Sequence, residues 1–448
     1  MNLRVLLVAH GYPPELSGGT ERYTRHVAEA LVQRGHGVTV VAGTLAWRER
    51  LAVSEEQAGG VRVLRVHRDD AHPETWDRGH APAVAERFAA ILDEVRPHVV
   101  HVQHWIRLTR DLVRTAHRAG IPALVTLHDF HATCPTHFRV LPDGTTCTVP
   151  AAGPVCSGCV RGSWWWAEDE LDAEVRLHAA DLRNELDLAQ RVLVLSAAQA
   201  RLLAQVTGRA ESTFVVHPFR ALVPLRRGPV PPPAPPLRIA SWGQLWSLKG
   251  QHVLLDAVRA MRHRAEVLVE LFGSGAEPGY EERLRAAAEG LPVKFRGAYA
   301  PADLERHPMH LAVFPSLANE TFGFVIEEAR MLGVPVVVSD AGAYPERIGA
   351  GGVVVPRGDA AALAALLDRC VEAPAEVERL RAGVVAPGPF AEHVNHLEDL
   401  YRHVAAYPEP RRDHFDLEGH LRHAQRRYEA RERHLAGLEA ERRQRKGP

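Results

Sequence analysis

Short apolar runs alternate with segments of helical spacing along most of the chain, and this alternation constrains the fold more than any other feature. Runs such as RVLLVAH near the start are apolar and β-branched, as in strands that are buried on both faces. Segments such as residues 20–36 repeat apolar positions every three to four residues, as amphipathic helices do. Strands that alternate with helices form parallel sheets covered by helices on both faces. The chain is therefore predicted to be an α/β protein.

The alternation occurs in two series, and a proline-rich segment separates them. The segment at about residues 218–237 contains PVPPPAPP, which disfavours a helix and predicts a stiff linker. With 448 residues the chain is also too long for one ordinary core. We predict two doubly wound, Rossmann-like domains facing a cleft, at residues 1–217 and 238–388. A crossover helix at 389–407 and a charged helical tail at 408–448 are predicted to follow.

Net charge and hydropathy argue against nucleic-acid binding and against a membrane-spanning segment. The formal net charge is -1, so no overall positive field attracts nucleic acid. The opening MNLRVLLVAHGYPP lacks the long apolar stretch and cleavage site of a signal peptide. No window approaches the roughly 18 apolar residues of a membrane span. We expect a cytoplasmic protein that has no nucleic-acid partner and whose cysteines are not paired in disulfides.

A loop and helix of the second series carry two carboxylates after a predicted strand. In PSLANETFGFVIEEARMLG, Glu320 lies in the loop and Glu328 lies inside the helix. The first amides of that helix, at Phe322 and Gly323, have no intrahelical partner and carry the positive end of the helix dipole. They are predicted to bind a pyrophosphate, with Glu320 reaching a group beside it. Glu328, about 7 Å further along the helix axis, is suited to contact a ribose.

This pair of glutamates resembles the E-x7-E signature of retaining glycosyltransferases with the GT-B fold, in the large family 4 (glycosyl transferases group 1). The resemblance covers about residues 1–407, both domains in order. It implies transfer of a sugar from a nucleotide-diphosphate sugar, a UDP- or GDP-sugar, with retention of anomeric configuration. The acceptor would be a hydroxyl of a glycan, a lipid-linked compound or a small molecule. The family generally needs no catalytic metal, because the protein supplies the positive charge.

Two further motifs of the second series support the resemblance. SWGQLWSLKG is similar to a family motif in which an arginine and a lysine neutralise the leaving diphosphate. Lys249 matches the lysine, whereas Gln244 stands in place of the arginine and brings no charge. The turn in ELFGSG, with Gly273 and Ser274, corresponds to a glycine-rich turn near the nucleotide. The resemblance therefore places all four residues at the donor.

The first series contributes the opposite wall of the expected site. Gly18 and Gly19 form a turn before the first predicted helix, where relatives bring backbone close to the donor phosphate. The motif is not the G-x-G-x-x-G of a dinucleotide-binding dehydrogenase. His128, which follows the predicted strand in ALVTLHDFHATCP, occupies the position of the family histidine that lines the sugar site. Asp129 is an additional contact candidate there, and His131 is a weaker one.

The resemblance implies front-face substitution, in which the leaving diphosphate itself takes the acceptor proton. The implied catalytic residues are Glu320, which orients sugar hydroxyls, His128, which lines the opposite wall, and Lys249, which holds the diphosphate. The implied donor-binding residues are Gly18, Gly19, Gln244, Lys249, Gly273, Ser274, Phe322, Gly323 and Glu328. No second carboxylate is placed as a nucleophile, so catalysis is expected to depend on positioning and electrostatics.

An insert at residues 134–166 holds four of the five cysteines. Its ligand candidates are Cys134, Cys147, Cys156 and Cys159. The last two have the C-x2-C spacing that suits tetrahedral zinc, and the proline- and glycine-rich segment has little apolar content to fold on its own. We predict a structural zinc site over the acceptor side, with free thiols in a mobile loop as the alternative. Trp164 to Trp166 are expected to pack on the core, with stacking on an acceptor as the alternative.

Two surface patterns suggest further contacts. Four arginines share one face of a predicted helix at three- and four-residue spacing, which favours a solvated helix face. They are Arg107, Arg110, Arg114 and Arg118. The resemblance to family 4 implies the alternative that this face contacts anionic lipid at a membrane surface. The tail has an apolar row that predicts either a coiled coil, and hence a homo-oligomer, or packing on its own protomer. The row is Leu417, Leu421, Ala424, Tyr428, Leu435 and Leu438.

Two other functions remain open on the sequence. A nucleotide-sugar epimerase can share the two-domain fold, but it needs no acceptor, and the long insert after His128 argues against it. A degenerate transferase that serves as a sugar-nucleotide-binding scaffold is the non-enzyme alternative, because Gln244 departs from the family motif.

Overall fold

Two α/β halves make up the body of the chain. The computed structural model describes residues 2–46, 48–68, 76, 79–150, 156–160, 168–220, 225–226 and 232–446. Each half is built on its own sheet. The insert predicted at 134–166 and the linker predicted at 218–237 lie partly outside the described residues, and Trp164 to Trp166 lie wholly outside them.

The first half contains an 8-stranded sheet in the order β3-β4-β2-β1-β5-β6-β7-β8. Its strands are β1 (Arg4–Ala9), β2 (Gly37–Gly43), β3 (Val53–Ala58), β4 (Val61–Val66), β5 (Val99–Val102), β6 (Ala123–Thr126), β7 (Arg191–Val194) and β8 (Phe214–Val216). Its helices are α1 (Gly19–Gln33), α2 (Pro82–Val95), α3 (Leu112–Arg118), α4 (Cys156–Cys159), α5 (Glu168–Leu188) and α6 (Ala197–Thr207). The central strand β1 pairs in parallel with both β2 and β5, and its residues from Val5 to Ala9 are fully buried. The apolar run RVLLVAH therefore has the burial on both faces that its composition predicts.

The apolar pattern does not predict the edge strand β3. Its sequence, VSEEQA, is largely exposed and pairs antiparallel with β4. Glu55 accepts hydrogen bonds from Arg62 on β4, so cross-strand charge pairs replace apolar burial at this edge. Charged residues at an exposed edge also discourage pairing with another chain. An edge strand of this kind carries no apolar signal in the sequence.

The second half contains a 6-stranded sheet in the order β11-β10-β9-β12-β13-β14, and all its pairings are parallel. Its strands are β9 (Leu237–Trp242), β10 (Val267–Phe272), β11 (Val293–Gly297), β12 (Leu311–Phe314), β13 (Val336–Ser339) and β14 (Gly352–Val355). Its helices are α7 (Gln251–Ala260), α8 (Tyr280–Ala287), α9 (Phe324–Leu332), α10 (Tyr344–Arg347), α11 (Ala360–Glu372) and α12 (Pro374–Ala382). In both halves the strand order reverses beside the central strand, which is where doubly wound sheets bind ligands.

Two helices after the second half return to the first. Helix α13 (Phe390–Ala406) buries Val394, Leu397 and Tyr401 in the apolar cluster of the first half. The Tyr401 hydroxyl lies 2.6 Å from Nδ1 of His101 on β5. The terminal helix α14 (Leu417–Lys446) packs against α5. Among the described residues, none of the helices has both the length and the apolar character required to cross a membrane.

The tail packs on its own protomer through its polar face, not its apolar row. His420 lies 2.6 Å from Asp181, and His423 lies 2.7 Å from Glu174, both carboxylates belonging to α5. The members of the predicted apolar row that remain exposed are Leu417, Leu421, Ala424, Tyr428 and Leu435. Packing on the protomer therefore leaves these five residues uncovered, and the side chain of Leu438 lies outside the described residues.

The prediction that four arginines share one helix face is wrong. Helix α3 begins only at Leu112, because Arg107 adopts a left-handed backbone conformation with φ of 62°. Arg110 is buried between Glu174 and Asp181 of α5, and Arg114 is paired with Asp413. Of the four, Arg118 is the one whose side chain is mostly exposed, at 63%. The described residues therefore present no basic stripe there for a lipid surface.

Candidate active site

The two halves meet at a cleft that encloses a cavity of about 460 Å³. Loops that follow β1, β6, β9, β10 and β12 line it, so the cavity lies at the carboxyl ends of both sheets. Every catalytic and donor-binding residue predicted from the sequence lines this cavity: Gly18, Gly19, His128, Gln244, Lys249, Gly273, Ser274, Glu320, Phe322, Gly323 and Glu328. The fold thus brings together residues from widely separated parts of the chain, and their roles stay predictions.

Glu320 and Lys249 form an ion pair at the centre of the second half's wall. The Lys249 Nζ lies 2.8 Å from Oε1 of Glu320, and the Ser316 hydroxyl donates to the same oxygen at 2.6 Å. The Glu320 side chain is 11% exposed and that of Lys249 is 30% exposed, so both can be reached from the cavity. Gly342 has φ of 60°, and a Cβ there would lie 2.2 Å from the Glu320 carbonyl oxygen. The glycine thus allows the loop that carries Glu320 to pack this closely.

The start of helix α9 supplies unpaired amides beside Glu320. Gly323 precedes the helix with φ of 87°, and a Cβ there would lie 2.5 Å from the Tyr344 ring. Across the cleft, Gly19 at the start of α1 approaches the Phe324 ring closely enough that a Cβ would lie 3.2 Å from it. Two helix starts, one from each half, therefore line the same cavity. Such amides favour an anionic ligand such as a diphosphate.

Glu328 lies deeper in the cavity wall and is 9% exposed. Its Oε2 accepts a hydrogen bond of 2.8 Å from the Trp242 indole, and its Oε1 lies 3.7 Å from Arg22. Burial raises the pKa of the Glu328 carboxyl, and the Arg22 guanidinium partly opposes this shift. Glu328 is thus held in a fixed orientation at the cavity wall, as a residue that binds a ligand hydroxyl would be.

Arg22 is a cavity residue that the sequence reasoning missed. It projects from the first turn of α1 to the opposite half, where it contacts Glu328 and lies 5.9 Å from the centre of the Phe324 ring. A positive charge in the first turn of a helix is opposed by the helix dipole. That unfavourable placement, directly after the Gly18–Gly19 turn, is the signal that could have identified it.

Two glycines next to the donor motifs have close backbone neighbours. Gly250 follows the 3-10 turn that carries Lys249 and has φ of 73°. A Cβ there would lie 1.9 Å from the Pro315 carbonyl oxygen. At Gly273 φ is 145°, and a Cβ would lie 1.9 Å from the Gly243 carbonyl oxygen. These contacts explain why the motifs need glycine, independently of any ligand.

His128 lines the wall of the first half. Its Nε2 lies 2.7 Å from Oε1 of Gln103, which follows β5, and its ring packs against Tyr23 and Phe219. Burial lowers the pKa of His128 to about 3, so the imidazole is neutral at pH 7. Its carbonyl oxygen accepts a hydrogen bond of 2.6 Å from Thr321, next to Glu320. His128 is thus hydrogen-bonded to the loop of the other half that carries Glu320.

Asp129 and His131 belong to a histidine-rich network that is not part of the cavity wall. Oδ2 of Asp129 lies 3.2 Å from His104 and 3.1 Å from His137. Burial raises the pKa of Asp129, but its interactions and hydrogen bonds with His104 and His137 outweigh burial and hold the pKa well below its usual range. His131 is buried beside the same rings. The network anchors the start of the insert on the ends of β5 and β6.

The four cysteines of the insert form no disulfide among the described residues. Burial raises the pKa of Cys156, and the thiols of Cys134 and Cys147 shift it in the same direction. The groups whose ligand atoms all lie within 4.8 Å of one another are instead two histidine–aspartate clusters among the described residues: His80–Asp181–His420 and His104–Asp129–His137.

Comparisons with known proteins agree with this architecture. The family described as Glycosyltransferase Family 4 matches residues 17–222, and that described as Glycosyl transferases group 1 matches residues 236–373. A glycogen synthase of Mycobacterium tuberculosis is 26% identical over 405 residues, covering 84% of this chain and 88% of the relative. The D-inositol 3-phosphate glycosyltransferase 1 of Catenulispora acidiphila is 28% identical over 420 residues, covering 86% and 91%.

A solved structure shows the same fold. The structure of Anabaena HepE in complex with UDP and glucose superposes with a TM-score of 0.60 and 18% identity, covering 90% of this chain and 100% of that chain. Two doubly wound halves that enclose a cleft define the GT-B class of glycosyltransferases. The two family matches fall one on each half, and the chain belongs to glycosyltransferase family 4. It is therefore a glycosyltransferase.

Proposed function

We propose that the cleft transfers a sugar from a nucleotide-diphosphate sugar to an acceptor hydroxyl with retention of anomeric configuration. The observation that carries this proposal is the pair of Glu320 and Lys249, 2.8 Å apart beside the first amides of α9. A cation and unpaired amides favour a diphosphate, and a carboxylate next to them can bind sugar hydroxyls. Arg22 contributes a second positive charge from the opposite half.

The donor would lie along the wall of the second half. Lys249 and the amides at Phe322 and Gly323 bind the diphosphate, Glu320 orients the sugar, and Glu328 binds the ribose. A UDP-sugar is the donor that we propose, because HepE, which has the same fold, binds UDP and glucose. The acceptor approaches from the first half, past His128.

The proposed reaction is the front-face substitution that the resemblance to family 4 implies. The bond between the anomeric carbon and the diphosphate oxygen breaks, and the acceptor oxygen bonds to the same face of that carbon. The acceptor proton passes to the leaving diphosphate oxygen. His128 is neutral at pH 7 because its pKa is about 3, so it contributes hydrogen bonding and shape rather than charge. Lys249 stabilises the charge that develops on the leaving group.

A donor panel tests the proposal. The purified chain is incubated with UDP-, GDP- and ADP-sugars, and slow hydrolysis and nucleotide affinity are measured without an acceptor. We expect hydrolysis of a UDP-sugar and selective UDP binding. Binding of the donor without turnover would favour the scaffold alternative, and formation of an epimeric nucleotide sugar would favour the epimerase. The relatives reported above are synthases and transferases, so no specific observation favours either alternative.

We propose that Cys134, Cys147, Cys156 and Cys159 bind one structural zinc ion. The support is the turn of α4, which carries the C-x2-C pair, together with the position of Cys134 and Cys147 in the same insert. Metal analysis of the purified protein should find about one zinc per chain, and Cys156→Ser should lose it. Cys370→Ser is the matched control, because that thiol is buried in the other half. Active protein without zinc would contradict the site.

A homodimer through the tail is the remaining partner proposal. The exposed apolar residues of α14 repeat at four- and three-residue intervals, which suits pairing with a second copy. Sedimentation equilibrium should show a dimer, and Leu421→Glu should convert it to a monomer. Glu429→Gln, at an exposed position of the same helix, should leave the dimer intact. A wild-type monomer at high protein concentration would contradict this proposal.

A further inference from the structure

The hairpin of the cysteine-rich insert crosses the cleft and contacts the loop that carries Glu320. A β-bridge between Val140 and Thr146 closes the hairpin, and its base is fixed by Arg139, which is 2% exposed. The Arg139 guanidinium donates to the carbonyl oxygens of Thr133 and Val149. The hairpin is therefore held on the first half, although its outer edge faces the second half.

Asn319, the residue before Glu320, is the centre of this contact. Its side chain makes all four hydrogen bonds available to an asparagine and is 5% exposed. The amide Nδ2 donates to the carbonyl oxygens of Phe138 at 3.1 Å and Arg139 at 2.7 Å. Oδ1 accepts from Thr146 at 2.8 Å and from Arg357 at 2.9 Å. Three of the four partners belong to the insert.

Two other contacts connect the halves close to Glu320 and Lys249. Thr321, the residue after Glu320, donates to the His128 carbonyl oxygen at 2.6 Å. Phe138 packs edge-on against Trp246, with ring centres 4.8 Å apart, in the loop that leads to Lys249. Both neighbours of Glu320 in the sequence are thus hydrogen-bonded to the opposite half.

Backbone strain is concentrated where the hairpin meets Asn319. His137 and Arg139, on either side of Phe138, have φ of 71° and 49°. Left-handed backbone is unfavourable for residues other than glycine and persists where the surrounding contacts impose it. The strained segment directs the carbonyl oxygens of Phe138 and Arg139 to the same amide group.

We propose that the insert hairpin is an interdomain clamp that positions Glu320, and that Asn319 is the positioning residue through which it acts. This inference rests on the proposed function, because it assigns the clamp to the same cleft. Glu320 must stay oriented toward the sugar while it pairs with Lys249, and the hydrogen bonds of its neighbours Asn319 and Thr321 join its loop to the first half. Loosening the clamp should therefore lower turnover more than nucleotide binding.

The test uses two adjacent threonines of the hairpin. Thr146→Val keeps the side-chain shape but removes the hydroxyl that binds Asn319. Thr145→Val is the matched control, since the hydroxyl of this exposed residue bonds to Asp143 within the hairpin. We expect Thr146→Val to lower kcat for donor hydrolysis about tenfold with UDP affinity nearly unchanged. Thr145→Val should match the wild type, and Thr146→Ser, which keeps a hydroxyl, should retain activity.

Two further readouts separate positioning from general stability. Hydrogen exchange at the amides of residues 316–323 should be faster in Thr146→Val than in Thr145→Val, at equal melting temperatures. In a double-mutant cycle, Asn319→Ala and Thr146→Val should be non-additive, because they remove the same contact. Wild-type protein without turnover would refute the proposed function. Active wild type with equal kcat and equal exchange in the two threonine variants would refute the clamp alone.

Discussion

Removal of Lys249 tests the electrostatics of the cleft most sharply. Among the described residues, Lys249 contributes one of the two Lys or Arg side chains that line the cavity, the other being Arg22. Its Nζ lies 2.8 Å from Glu320, and its side chain is 30% exposed. The position that relatives fill with arginine holds Gln244, which is uncharged. Lys249→Ala should therefore remove most of the charge that the second half offers to the leaving diphosphate.

The magnitude follows from Coulomb's law. Two unit charges about 5 Å apart, at an effective dielectric constant of about 20, interact by about 3 kcal/mol. This corresponds to roughly a hundredfold in rate, the size of loss observed when one donor to a developing oxyanion is removed. The charge on the diphosphate grows in the transition state, so kcat should fall more than UDP affinity.

Donor hydrolysis and UDP affinity are measured for Lys249→Ala beside the wild type. Lys294→Ala is the matched control, because this lysine is exposed on β11 outside the cavity. A loss below about threefold in both quantities would refute the assignment of Lys249 to the leaving group. Arg22 would then be the next candidate, since Arg296 and Arg330 are engaged by Glu270 and Glu327.

Three other predictions address neighbouring groups. Glu320→Gln keeps a side chain that can hydrogen-bond to Lys249 and Ser316, so the melting temperature should not change. Transfer should be lost because the carboxylate is removed, and full activity would contradict the role of Glu320. Glu328→Ala should chiefly weaken UDP binding, measured by calorimetry, and an unaltered affinity would exclude the ribose contact. Burial lowers the pKa of His101 to about 3, so the unfolded state binds a proton below about pH 6.5 that the folded state does not. The contribution of neutral His101 to the free energy of unfolding is full above that pH and falls by about 1.4 kcal/mol per pH unit on acidification toward pH 3. In urea unfolding, His101→Gln should lose less stability than the wild type between pH 6.5 and pH 5. An equal pH dependence of the unfolding free energy in the two proteins would argue against this.

The sequence predicts those strands whose apolar residues are consecutive in the chain. Continuous apolar runs such as VPVVVSD identify strands buried on both faces, as β12 and β13 of the second sheet are. The same rule misses β3, which is polar and exposed, and β8, which is three residues long. The predicted residues of the cleft share the cavity because the carboxyl ends of parallel strands meet at one edge of each sheet.

Contacts between distant segments could not be predicted in this way. Arg110 has helical spacing from Arg114 and Arg118. It is nevertheless buried in ion pairs with Glu174 and Asp181 of α5. Spacing along the sequence carries no information on these two distant partners. The hydrogen bonds of Asn319 to the insert join residues about 180 positions apart. The tail is a similar case, because His420 and His423 pair with buried carboxylates, whereas Leu417, Leu421 and Leu435 are exposed.

The central claim is that the cleft cleaves a nucleotide sugar with retention. The most direct measurement is proton NMR spectroscopy of donor hydrolysis, recorded early enough to identify the first-formed sugar anomer before mutarotation. With an α-linked UDP-sugar, we predict that the α anomer is released first and that Glu320→Gln releases none. First release of the β anomer would contradict retention, and the absence of hydrolysis of any UDP-, GDP- or ADP-sugar by the wild type would contradict the proposed activity itself.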